Sequence, residues 1–470
     1  MSILLKGGRV ITAADDIVAD VLVEGERVSL IGASLDVAAD RVIDASGKYV
    51  LPGCIDPHTH LDMPFGGTVT IDDFESGQTS AAFGGTTCHV DFCIQGQGQT
   101  FAEALDTWHA KATGKTLIDY GFHIAVTDLA SEERLEELAA LPAQGITSYK
   151  LFMAYKNVLQ VDDETLFRAM ETAAASGALV MVHAENGDAI DVLVREALER
   201  GETAPIHHAL TRPPELEGEA TNRAIQLARI AGAPLYVVHV TCREAVEPIR
   251  RAREQGWDVW GESCTQYFFR SIDDLAQPNF EGAKYVYSPP ARDAANHAVL
   301  WDAVRTDALS AISTDHCAFL WDGQKTLGKD DFTKIPNGGP GLEDRLKMIH
   351  HFGVREGRIS LNRMVDLLAT QPAKLFGLYP RKGTVAVGAD ADLVVFDPER
   401  RETISASSHH SKCDYSLYEG TEVVGAPELV LLRGNVLVED GELAASPGVG
   451  RFVPRARFGE PLAVEPIATS

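Results

Sequence analysis

The hydrophobic rhythm of the chain changes twice. Over residues 3–50 short apolar runs such as Arg9-Val10-Ile11, Val21-Leu22-Val23 and Val28-Ser29-Leu30-Ile31 are cut by Gly and Asp, the spacing of antiparallel β-structure. The same texture returns after Gly383, in Asp392-Leu393-Val394-Val395-Phe396 and in Leu429-Val430-Leu431-Leu432-Arg433-Gly434-Asn435-Val436-Leu437-Val438, a run that echoes Leu4-Leu5-Lys6-Gly7-Gly8-Arg9-Val10-Ile11. Both ends are therefore expected to supply strands to one small β-sandwich domain, residues 1–50 forming its N-terminal part and 379–446 its C-terminal part. Between them, over 51–378, apolar runs alternate with helix-length amphipathic segments, the pattern of a parallel α/β barrel. The strand candidates are 51–58, 86–92, 120–126, 148–152, 179–183, 235–239, 259–262 and 309–314. Helical periodicity fills the gaps, as in 165–173 and in 243–255, where Val246 and Ile249 share a face. The pattern predicts an α/β fold, a (β/α)8 TIM-like barrel with a small β-sandwich domain built from both chain ends, followed by a tail at 447–470.

Composition agrees with this size and narrows the partners. The chain has 470 residues, 45% of them hydrophobic, enough for a large core and a smaller one. Lys and Arg total 42 against 68 Asp and Glu, a formal charge of −26, which argues against nucleic acid or an anionic membrane as partner. No signal peptide is recognised at Met1-Ser2-Ile3-Leu4-Leu5 and no apolar run reaches the roughly 20 residues that span a bilayer, so a cytoplasmic protein is expected. Seven cysteines without C-x-x-C pairs read as reduced thiols.

In such a barrel, functional residues gather at the C-terminal ends of the strands. The first candidate ends in Pro57-His58-Thr59-His60, and residues i and i+2 of a strand point the same way, so two imidazoles can address one point. The fourth carries Lys150, the fifth ends in His183, the sixth in His239, and the eighth runs into Thr314-Asp315-His316. Each has an ordinary alternative: a satisfied core histidine for His183 and His239, an ion pair for Lys150, a helix N-cap for Asp315. Their shared place at one barrel face makes ligation the better reading. Four His and one Asp suit two divalent ions, zinc first, with manganese or cobalt by analogy. Lys150 fits beside dications as a carbamate, whose two anionic oxygens bridge both ions, and the residual positive field would acidify a bound water into the nucleophile. The remaining histidines are taken as surface or structural residues, His316 being the strongest exception.

These ligands resemble those of the amidohydrolase superfamily, and the connecting text narrows the resemblance to the cyclic amidases. Leu61-Asp62-Met63-Pro64-Phe65-Gly66-Gly67, Lys150-Leu151-Phe152-Met153-Ala154-Tyr155, His183-Ala184-Glu185-Asn186-Gly187-Asp188, Tyr287-Ser288-Pro289-Pro290, Ser313-Thr314-Asp315-His316-Cys317 and Lys334-Ile335-Pro336-Asn337-Gly338-Gly339-Pro340 are similar to segments of dihydropyrimidinases and D-hydantoinases, over nearly the whole chain. The resemblance implies that His58, His60 and Asp315 bind one ion, that His183 and His239 bind the other, and that carbamylated Lys150 bridges them. It further implies that Asp315 shuttles a proton to the leaving nitrogen and that Tyr155 stabilises the oxyanion. The main chain at Ser288 and Asn337 would grip the ring, with Met63, Phe65, Phe152 and Tyr155 around the exocyclic substituent, packing being the plain alternative for Met63 and Phe152. The substrates implied are small cyclic amides, 5-monosubstituted hydantoins and dihydropyrimidines, opened to N-carbamoyl amino acids with D preference. A homo-oligomer, tetramer or dimer, follows from the same resemblance.

The chain departs from the family at Thr265, where many relatives carry proline. An allantoinase or dihydroorotase would share the ligands but handle more polar or charged rings, and a carboxylate substrate would call for Arg. A non-enzymatic scaffold relative would have lost ligands, and none is missing here. The tail at 447–470 carries Arg451, Arg455 and Arg457; docking on a neighbouring subunit and disorder are its two readings.

Overall fold

The computed structural model describes residues 2–464. Eight parallel strands form one sheet in chain order: Cys54–Thr59, Thr86–Ile94, Asp119–Ala125, Ser148–Phe152, Leu179–His183, Leu235–Val237, Val259–Cys264 and Ala311–Ser313. The sheet closes through its first and last members. Thr59 and His316 form a parallel bridge, and the His60 N–H donates to His316 O at 2.8 Å. Buried Asp56 tightens the seam by accepting from the Thr314 hydroxyl at 2.7 Å, while the Arg345 guanidinium donates to Ile55 O and Ile312 O, each at 3.0 Å. The barrel is therefore held shut by buried polar groups that are paired across the seam, Arg345 Nε alone among those named lacking a partner among the described residues.

The helices between the strands read as the periodicity predicts. Asp163–Ser176 starts on an Asp162 cap and ends at Gly177, burying Leu166, Ala169, Met170 and Ala173. Arg243–Glu254 buries Val246 and Ile249 together.

A second, mixed sheet of nine strands draws on both chain ends, with Ser2–Ile11, Asp16–Glu24, Arg27–Gly32, Arg41–Asp44 and Tyr49–Pro52 from the first, and Leu393–Thr403, Glu422–Leu432, Asn435–Glu439 and Glu442–Leu443 from the second. Its own core includes Ile3, Val21, Val50, Val395 and Leu431. The joint between the sheets is tighter than the apolar run implies. The strand expected over 51–58 is divided: Leu51 and Pro52 pair with Val394 and Leu393 of the mixed sheet, and the barrel strand starts at Cys54. Gly53 stands between, and a Cβ there would lie 2.1 Å from the Thr87 hydroxyl, so only glycine passes.

The tail does not stand free within the described residues. Phe452 bridges to Tyr120, and buried Arg455 donates to Phe122 O and, at 2.8 Å, to the Ser148 hydroxyl of the same chain's barrel. Residues 465–470 of the tail lie outside the described residues. All seven cysteines are buried and free. Among the described residues no helix is long and apolar enough to cross a membrane.

Candidate metal centre and ring pocket

Every residue singled out in the sequence as a ligand, catalytic group or pocket wall lines one cavity at the C-terminal mouth of the barrel. The backbone turns sharply to deliver them. Tyr155, His239 and Asp315 have φ of 68°, 39° and 50°, left-handed conformations that are uncommon for residues with a side chain and are sustained only by the surrounding structure. For His239 and Asp315 this kink falls just past the end of a barrel strand, Val237 and Ser313 respectively.

At the centre, one oxygen of Asp315 lies 3.1 Å from His58 Nε2 and 3.1 Å from His60 Nε2. The His58 and His239 rings are 5.4 Å apart and those of His183 and His239 4.6 Å, so the imidazoles form one continuous cluster. Lys150 is 1% exposed, between the faces of Phe92 and Phe152 at 5.2 and 5.1 Å, and its amine has no hydrogen-bond partner among the described residues. His60 Nδ1 and His239 Nδ1 are orphaned in the same way. Buried polar atoms left unpaired are costly, and a buried amine without a partner beside an imidazole and carboxylate cluster fits a site built for a cation.

The electrostatics agree. Burial acts against a charge on His58, yet Asp315 and Glu262 outweigh it and raise the imidazole to about 9. Burial likewise works to raise Asp315, but His58 and His60 prevail and hold it well below the usual carboxylate range. Burial instead pushes His60 down to about 4 and lowers His183 and His239, so these imidazoles are held neutral, the form in which a ring nitrogen can ligate a cation. Burial pushes the Lys150 amine down to about 7, so a neutral, nucleophilic amine capable of forming a carbamate is accessible near neutral pH.

Two carboxylates in this shell were not assigned roles from the sequence. His58 Nδ1 donates to Glu262 Oε1 at 2.5 Å, and the other Glu262 oxygen accepts from the Tyr236 hydroxyl at 2.9 Å. His183 Nε2 donates to Glu185 Oε2 at 2.7 Å. Each carboxylate fixes the tautomer of its histidine and leaves the other ring nitrogen as the lone-pair donor, the usual arrangement behind a ligating imidazole. Glu185 sits two residues beyond His183, but Glu262 is 204 residues from His58, so only the fold could reveal that pair. His316, the strongest exception among the other histidines, is structural: Nε2 donates to Asp72 at 3.0 Å and Nδ1 accepts from the Gly341 N–H.

The other wall of the cavity is apolar. Phe65 lies on a short hairpin, Pro64–Phe65 against Thr68–Val69, whose turn residues Gly66 and Gly67 both have positive φ. Its ring meets Tyr155 edge-on at 5.4 Å. Phe152 is 6.0 Å from Tyr155 and also stacks on His183 at 5.7 Å, so it supports the ligand cluster as well as the wall. Met63 packs with Cys317 and Phe319. Ile94, Leu159, Cys317 and Gly338 complete the lining; Cys317 and Gly338 fall in segments already noted in the sequence, whereas Ile94 and Leu159 do not and are placed there only by the fold. Asn337 Nδ2 donates to the Ser288 hydroxyl at 3.1 Å, with the Tyr155 phenol beside both; burial raises that phenol far above its ordinary range, so it stays a donor. Thr265, the departure from the family, places its hydroxyl on Ser313 O at 3.2 Å, next to the eighth strand.

With this geometry in place, comparison with known proteins is decisive. The amidohydrolase family pattern matches residues 49–437. The D-hydantoinase of Geobacillus stearothermophilus is 55% identical over 460 residues, covering 98% of each chain, and the dihydropyrimidinase of Arabidopsis thaliana is 42% identical over 97% of this chain and 86% of its own. The crystal structure of dihydropyrimidinase from Brevibacillus agri superposes with a TM-score of 0.97 at 54% identity, covering 98% of this chain and 100% of that one. The chain belongs to the metal-dependent amidohydrolase family, within its D-hydantoinase and dihydropyrimidinase branch.

Proposed function

We propose that this protein hydrolyses cyclic amides, opening 5-monosubstituted hydantoins and dihydropyrimidines to N-carbamoyl amino acids. The observation that carries the reading is the meeting, in one cavity, of a six-residue ligand cluster with an apolar wall, in a chain 55% identical to a D-hydantoinase. His58, His60 and Asp315 would hold one divalent ion and His183 and His239 a second, with Lys150 bridging them as a carbamate and zinc as the metal. Bound there, such ions acidify water to a nucleophile at neutral pH and polarise an amide carbonyl.

The rest of the work falls to side chains. Asp315, kept ionised by His58 and His60, accepts a proton from the attacking water and returns it to the ring nitrogen as the C–N bond breaks. Tyr155 donates to the oxygen that becomes negative during attack, an interaction strongest in the transition state. The main chain around Ser288 and Asn337 pairs with the N–H and C=O edge of the ring, while Phe65, Phe152 and Met63 enclose the substituent at ring carbon five. Water adds across one C–N bond, giving a carboxylate and a carbamoyl amine. The D preference rests on the D-hydantoinase relatives.

No arginine lines the cavity among the described residues, which speaks against a carboxylate-bearing ring and hence against a dihydroorotase. Steady-state rates on hydantoin, D-5-phenylhydantoin, dihydrouracil, allantoin and dihydroorotate test the reading. The 5-substituted hydantoin and dihydrouracil are expected to be turned over best, and a preference for allantoin or dihydroorotate would refute it. A homotetramer or homodimer is proposed on the family resemblance, with light scattering as its test.

A further inference from the structure

Lys325 lies outside the cavity, and none of the chemistry above uses it. It is fully buried at the start of the turn Lys325–Gly328. Its ammonium donates to three main-chain carbonyls: Val286 O at 2.8 Å, Pro336 O at 2.7 Å and Gly338 O at 2.7 Å. An ammonium has three protons, so its whole donor capacity is spent on the backbone. Burial pushes this amine down to about 7, with the Cys317 and Cys413 thiols opposing it, and among the described residues it forms no ion pair; unlike Lys150, it faces three carbonyl acceptors, which favour the charged, three-proton form. Burying a lone cation is costly, and here these carbonyls are what offsets the cost.

The carbonyls belong to the two segments assigned to the ring. Val286 stands two residues before Ser288, and Pro336 and Gly338 flank Asn337. The segments also touch directly, the Gly338 N–H donating to Val286 O at 3.0 Å and Asn337 to Ser288. We infer that Lys325 is a positioning residue for substrate: it fixes the spacing of the Ser288 and Asn337 main chains and so sets how tightly the ring edge is held. The inference rests on the cyclic-amide reading. Because that edge is gripped in the ground state and transition state alike, loss of the clamp weakens both, raising KM and sparing kcat.

The test is steady-state kinetics of Lys325→Met and Lys325→Arg on D-5-phenylhydantoin and dihydrouracil, with metal content measured on the same preparations. Lys325→Met is expected to raise KM for both substrates about tenfold, the equivalent of one lost hydrogen bond, with kcat within about threefold and metal content unchanged. Lys325→Arg, which keeps charge and donors in a different geometry, should fall between. A merely structural role would lower the thermal midpoint and leave KM as it is. Wild-type KM in Lys325→Met, or a fall in kcat that tracks lost metal, overturns the inference. If Lys325→Met does not fold, Lys325→Arg decides: a raised KM with kcat and metal intact supports the clamp, and an unchanged KM overturns it. Wild-type protein that opens neither ring refutes the cyclic-amide reading instead, so the two failures are distinct.

Discussion

Lys150 is the residue whose surroundings make least sense without a bridging role. A buried amine, unpaired and held near neutrality by burial, would be a liability on a barrel strand unless it is converted to an anion. Lys150→Ala is therefore expected to lose metal and turnover together, and acetate, by replacing the bridging oxygens, to restore part of both; elemental analysis and rates on one preparation check this. Tyr155→Phe removes one oxyanion donor and should lower kcat by roughly 10²- to 10³-fold at constant metal content, whereas a change confined to KM would assign Tyr155 to uniform binding. Glu262→Ala should weaken metal binding by about 10- to 100-fold in chelator competition, since His58 loses the partner that orients it. At this scale the sequence was legible where chemistry repeats at a fixed offset, as in His58 and His60. It was opaque where the partner is distant, as for Glu262, or where a lysine answers to carbonyls 39, 11 and 13 residues away, as for Lys325.

At the scale of elements, hydrophobic runs located all eight barrel strands because a parallel strand buried on both faces is apolar along its length. They misplaced the first boundary: 51–58 reads as one apolar run, and only the close approach of Thr87 to Gly53 shows why the chain changes sheets there. The elements also separate two aromatic residues that looked alike in sequence. Phe65 rides on a hairpin and touches Tyr155, whereas Phe152 ends a barrel strand, stacks on His183 and packs beside Lys150. Phe65→Ala should erode the preference for substituted over unsubstituted hydantoin while leaving the unsubstituted rate within about tenfold. Phe152→Ala should slow both substrates, because it disturbs the ligand cluster as well. Equal losses for Phe65→Ala on both substrates would show that the hairpin holds the loops and does not read the substituent.

At the scale of the molecule, the barrel and the mixed sheet are joined by a buried charge cluster. Lys382 donates to Asp119 at 2.7 Å on the barrel side and to Asp392 at 2.6 Å on the sheet side, with Asp390 at 3.1 Å and Arg433 on Asp119. Three carboxylates so close would resemble a metal site, but an ammonium already fills their centre. Removing it leaves buried anions facing one another, so Lys382→Met is expected to cost about 3–5 kcal/mol, read as a lowered urea midpoint, with the remaining folded protein still active. Composition gave no hint of this joint, since it depends on Lys382 and Arg433, late in the chain, reaching Asp119 on a barrel strand 263 and 314 residues earlier. The proposed ring opening requires ions held at the barrel mouth. Its most direct test is to strip the protein of metal, add zinc back in bicarbonate buffer, and follow conversion of D-5-phenylhydantoin to its N-carbamoyl amino acid at each step. Turnover should be absent without ions and reach its plateau at two per chain; full turnover in the metal-free protein would contradict it.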